Sequence, residues 1–174
     1  PDQAKFIKVF TPTNQFIKAN YNQFNYNLNI SPRALSNAFH NKKIKNIVTR
    51  LTAQSSMQIG KKIIATDYIS ANPFKGNVED TALISLNNIF NNTLSFNRFS
   101  SIWGIDISNV RSFSKALLTY GFESRTLTNW QIRLRATIKK QYTFEIIQKL
   151  SNNSLATPKF ANRNFDLATS SIEP

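Results

Sequence analysis

Long runs of two-residue alternation constrain this chain more than any other feature, because only an extended strand places every second side chain on one face. From Ile47 to Ile59 one face would carry Ile47, Thr49, Leu51, Ala53, Ser55, Met57 and Ile59. The other would carry Val48, Arg50, Thr52, Gln54, Ser56 and Gln58. From Ala82 to Asn97 the stripe Ala82, Ile84, Leu86, Phe90, Leu94 and Phe96 is interrupted only by Asn88 and Asn92. Trp130, Ile132, Leu134, Ala136 and Ile138 alternate with Gln131, Arg133, Arg135, Thr137 and Lys139. Tyr142, Phe144, Ile146 and Leu150 do so with Thr143, Glu145 and Lys149, and Phe24, Tyr26, Leu28 and Ile30 with Gln23, Asn25, Asn27 and Asn29.

The length of these runs narrows the class. Strands of water-soluble domains average about 5–6 residues, whereas these runs reach ten or more, with Arg and Lys well inside them. One lipid-compatible face backed by a Gln/Asn/Arg/Thr face is the pattern of a membrane barrel with a wet interior. A helical reading fails because apolar positions do not recur at i, i+3 and i+4, and Asn, a poor helix former, occurs 22 times. The expected fold is all-β, a meander of long antiparallel hairpins with about six to eight strands. The whole chain, 1–174, is read as one barrel segment with irregular ends at 1–15 and 152–174.

Breakers fall where connections are needed: Ser31-Pro32, the stretch Asn72-Pro73-Phe74-Lys75-Gly76-Asn77, a short turn at Lys139-Lys140-Gln141, and Asn152-Asn153-Ser154. Short turns alternating with longer loops would match the asymmetry of membrane barrels. Between Leu118 and Ile138 the facing is constant, which permits one very long strand or a hairpin turning near Ser124 to Thr128. Trp103, Trp130, Tyr142 and Phe144 are candidates for the aromatic girdles that mark a membrane boundary; ordinary sheet-core aromatics are the plainer alternative.

Charge first suggests a different partner. The net charge of +13 favours a polyanion, either nucleic acid or an anionic membrane surface such as lipopolysaccharide. The cations are scattered, with Lys42-Lys43, Lys61-Lys62 and Lys139-Lys140 the only adjacent lysine pairs. The first two pairs flank a candidate strand, as charges at a membrane rim would. Arg133 and Arg135 hold strict strand register opposite an apolar stripe. The alternative function, a basic RNA-binding structural protein such as an organellar ribosome contains, rests on basic and aromatic residues interleaved around Trp130 to Lys140. Tight, salt-sensitive RNA binding in water would mark that class, and dependence on detergent or lipid would mark a barrel.

Little in the sequence suggests catalysis. The single histidine, His40, sits in a polar stretch with no acid or Cys at ligand spacing, and the chain has no cysteine. Glu79-Asp80 reads as rim charge or a cation contact, with four glycines no phosphate-binding fingerprint fits, and no nucleophile-elbow sequence surrounds any Ser. No run of about 18 apolar residues offers a transmembrane helix. The expectation is a non-enzyme with no cofactor, no metal site and no catalytic residues.

The segments Ser101-Ile102-Trp103-Gly104-Ile105-Asp106 and Leu117-Leu118-Thr119-Tyr120-Gly121-Phe122-Glu123-Ser124-Arg125 resemble stretches of the large outer-membrane β-barrel proteins of Bacteroidota. The resemblance extends through Asn72-Pro73-Phe74, Asp80 to Asn87, Phe96-Asn97-Arg98, Thr157 to Phe165 and Ser171-Ile172-Glu173-Pro174. It implies a wall segment of a transport- or secretion-type barrel in the outer membrane of a Gram-negative cell. The implied partners are the lipid bilayer, lipopolysaccharide, and further strands or outer-membrane subunits, with nucleic acid not expected. No catalytic or ligand residue carries over, and no plug-domain or TonB-box motif is present. The chain closes Ser-Ile-Glu-Pro where such barrels end on an aromatic strand, so a segment of a larger barrel is expected.

On this reading Leu51, Met57, Leu86, Phe90, Trp130, Ile132, Leu134 and Phe144 face lipid. Arg50, Gln54, Arg133 and Arg135 face the interior.

Overall fold

The computed structural model describes residues 16–33, 41–64, 82–100, 102–118, 121–139, 141–158 and 160–174. They form seven strands: β1 (Ala19–Ile30), β2 (Leu51–Ile64), β3 (Leu83–Phe96), β4 (Trp103–Leu118), β5 (Gly121–Ile138), β6 (Tyr142–Ala156) and β7 (Phe165–Glu173). Each pairs antiparallel with the next in chain order, giving one meander sheet in the order β1 to β7. The fold is therefore all-β and antiparallel, as the alternation implies. The sheet is open: β1 and β7 are its edges and do not pair with each other. β5 reaches 18 residues and β4 reaches 16.

Directly paired residues on antiparallel strands point to the same face, so the register sorts the whole sheet. One row of directly paired residues runs Ile30, Ala53, Leu94, Ile107, Ile132 and Gln148 to Ile172. The neighbouring row on that face contains Leu51, Phe96, Ile105, Leu134 and Ile146. The opposite face has rows such as Asn29, Gln54, Thr93, Ser108, Gln131, Lys149 and Ser171. The register holds except for one irregularity at Lys62/Ile63.

No second layer covers either face among the described residues. Ile59, Ile63 and Leu83 are their only buried hydrophobic side chains. Trp130, Ile132, Leu134, Phe144, Ile146 and Leu150 all stand exposed on the apolar face. Shelter varies across the sheet: along β6 the polar-face residues Glu145, Ile147, Lys149, Ser151 and Asn153 are half-buried, whereas along β1 it is Phe24 and Tyr26 of the apolar face that are.

Several expectations need correction. Ile47–Thr49 do not belong to a strand. Lys42–Val48 forms a short helix, α1, whose N-cap Asn41 accepts a hydrogen bond from the Lys43 amide at 3.0 Å, and Thr49 closes it through Oγ1 to the Lys45 carbonyl at 2.8 Å. Ile44, Ile47 and Val48 recur at helical spacing, a signal that the Ile47-Thr49-Leu51 alternation overlaid. Lys61 and Lys62 lie inside β2, not at its flank. The stretch from 152 is not an irregular end, because β6 runs on to Ala156 and Phe165–Glu173 adds β7 against it. Of the two alternatives for 118–138, the long strand holds from Gly121: β5 starts there, paired with Leu118 of β4, and continues through Ser124–Thr128 without turning. Long connections occur at both ends of the sheet (31–50 at one, 65–82 at the other), so the two ends do not divide into short turns and long loops. The turn after β5 does fall where breakers were read, with Lys139 at φ 53° and the Gln141 amide donating to the Ile138 carbonyl at 3.2 Å.

The expected irregular stretch 1–15, His40, the Asn72–Asn77 loop and Glu79-Asp80 lie outside the described residues.

Candidate functional site: the two faces of the sheet

The register gathers Leu51, Met57, Leu86, Phe90, Trp130, Ile132, Leu134 and Phe144 on one face, since each occupies a row with the others' parity. Gln54, Arg133 and Arg135 lie on the opposite face. Arg50 precedes β2 in the turn after α1, so the sheet does not hold it on either face; its carbonyl accepts from the Asn97 amide at 2.8 Å.

On the polar face, charge is interleaved. Arg133 meets its direct partner Asp106 through Nη2 at 2.7 Å and Nε at 3.1 Å, and its Nη1 lies 3.8 Å from Glu145 on the next strand. Lys149 donates to both carboxylate oxygens of Glu173, at 2.7 and 2.8 Å. Arg125 donates to Asn153 at 3.2 Å, and the Ser151 hydroxyl to Asn129 Oδ1 at 2.6 Å. Arg135 reaches the Arg98 carbonyl at 3.2 Å. Acids and bases thus interleave on this face across β4, β5, β6 and β7.

The apolar face is graded along the strands. Trp103, Ile105 and Ile107 on β4 stand beside Ala136, Leu134 and Ile132 on β5, which continue to Phe144 and Ile146 on β6. At one margin of this block the tilted rings of Phe96 and Trp103 lie 5.5 Å apart between centroids, with Phe144 in the row of Trp103 and Tyr142 in the next. Trp130 marks the other margin, paired with Asn109 and Leu150. Beyond it the same face turns polar through Asn88, Arg111, Thr126, Thr128, Asn152 and Ser154. A hydroxyl–amide chain also crosses it, Tyr26 Oη to Ser55 Oγ at 2.9 Å and Ser55 Oγ to Asn92 Oδ1 at 2.8 Å.

Sequence reasoning missed β4 and β7 as strands, and with β4 the cations Arg111 and Lys115 on the apolar face. The parity Trp103, Ile105, Ile107 was available, but Asn109, Arg111 and Lys115 continue it with polar residues. Among the described residues no three His, Cys, Asp or Glu side chains gather as metal ligands, and no helix is long and apolar enough to cross a membrane. Comparison with protein-family models, with curated proteins and with solved structures finds no match.

Proposed function

We propose that this sheet is part of the wall of an outer-membrane β-barrel of a Gram-negative cell, with its apolar face toward lipid and its polar, charge-interleaved face toward a wet interior. The observation that carries this reading is an uncovered apolar face on strands of 14 to 18 residues. In water such a face is an aggregation surface, far larger than a soluble monomer exposes; in a bilayer it is the required one.

Dimensions support the same reading. Along β5 the apolar run from Trp130 to Ile138 spans about 26 Å at roughly 3.3 Å per residue, close to the ~25 Å apolar band of outer-membrane barrels. The run also shifts across the sheet. Ile30 and Ile132 share a row. On β1 the apolar side chains extend from that row to Phe24, whereas on β5 most extend the opposite way, to Ile138. The drift is roughly one residue per strand, which at ~3.3 Å per residue and ~4.8 Å between strands corresponds to a tilt near 35°. A level lipid band on tilted strands has this oblique course.

The open edges fit a wall continued by further strands, because unpaired amides and carbonyls are not tolerated at a lipid-exposed edge. The role is then structural or passage-forming, in transport, secretion or surface assembly, and not enzymatic. Against RNA binding, the aromatics Phe96, Trp103, Trp130 and Phe144 lie on the opposite face from Arg133, Arg135 and Lys149, so stacking and phosphate contacts from this region cannot meet one strand. Fractionation tests the proposal: the protein should resist high-salt extraction from membranes and dissolve in detergent, and release by salt alone would overturn it.

A further inference from the structure

The apolar face carries three cations, Lys61, Arg111 and Lys115, and its strands contribute a single acid, Asp166, on β7. This contrasts with the polar face, where acids and bases alternate. Lys61 is buried, and Lys115 holds its ammonium 4.9 Å over the Phe122 ring. Arg111 is different: it is exposed and makes no hydrogen bond or ion pair with another described residue. It opens onto a groove of about 510 Å³ that it lines together with Met57, Asn88, Phe90 and Phe113. Within that groove Asn88 Oδ1 is shut off from solvent and lacks a hydrogen-bond donor.

We infer that this groove seats the headgroup of an anionic phospholipid at the margin of the lipid band. The inference rests on the membrane reading and adds a partner to it. Arg111 pairs with Thr128 in the row next to that of Trp130, at the level where the apolar block gives way to polar residues. A guanidinium there presents its planar fork to a phosphate. The rings of Phe90 and Phe113 and the Met57 thioether give the first acyl carbons an apolar wall. A cation at a membrane surface contributes about 1 kcal/mol toward anionic lipid, which converts to roughly a five-fold preference.

The test uses the full-length protein carrying Trp103→Phe, so that among the tryptophans of this chain Trp130, beside the groove, is the sole reporter. It is reconstituted into phosphatidylcholine vesicles containing a minor fraction of either brominated phosphatidylglycerol or brominated phosphatidylcholine. Trp130 quenching should show about a five-fold preference for phosphatidylglycerol, retained in Arg111→Lys and lost in Arg111→Ala. Quenching by both lipids without preference, or a preference that survives Arg111→Ala, overturns the site while leaving the membrane reading intact. No quenching by either lipid overturns both. Loss of preference on adding inorganic phosphate, but not chloride at equal ionic strength, would make this a soluble-anion site and overturn the lipid assignment.

Discussion

At the scale of single residues, position on one face or the other determines what a substitution costs. Leu134 stands within the apolar block between Ile105 on β4 and Ile146 on β6. A charge on the lipid side near mid-membrane costs about 2–4 kcal/mol, so Leu134→Arg should lower folding stability in phospholipid vesicles by that amount in a denaturant titration. Gln131→Arg, three residues away on the polar face, should change it little; equal effects of the two would refute the assignment of faces. The Asp106–Arg133 pair has near-ideal distances, but its side chains remain 22% and 44% exposed. Water screens such a pair, and its coupling should fall at or below about 1 kcal/mol. A double-mutant cycle with Asp106→Asn and Arg133→Gln measures that coupling directly.

At the scale of elements, the β3–β4 hairpin depends on Asn97, whose φ of 61° lies in the left-handed region. Its side-chain Nδ2 donates to the Trp103 carbonyl at 2.9 Å, and its carbonyl accepts from the Ser100 amide at 3.0 Å. Asn97→Ala removes the side-chain bond and strains the backbone, for a combined loss of about 2 kcal/mol. Asn97→Gly keeps the conformation and should cost about half as much in the same titration. Which strands were legible in the sequence follows similar local physics. β3, β6 and the second half of β5 place apolar residues at nearly every other position, and their existence and facing were readable. β4 was hidden because its stripe leaves the apolar block at Asn109 and continues as Arg111 and Lys115. β7 was hidden for another reason: as an edge strand exposed along its whole length, it carries Leu167 on one face and Ile172 on the other, with no period-2 contrast. The groove beside Arg111 could not be read in advance, because it joins residues of β2, β3 and β4 through a register that no local pattern specifies.

At the scale of the whole molecule, the proposed function puts the sheet between lipid and water. The chain has no cysteine, so a single introduced cysteine reports its own surroundings without background. The most direct measurement is therefore a cysteine scan along β5, from Trp130 to Ile138, in membranes containing the full-length protein. Each variant is labelled with a water-soluble maleimide and, separately, with a lipid-dissolved one. A two-residue period is expected: Gln131, Arg133, Arg135 and Thr137 positions react from water, and Ile132, Leu134 and Ala136 positions react only from lipid. Labelling of both sets from water to the same extent would contradict it.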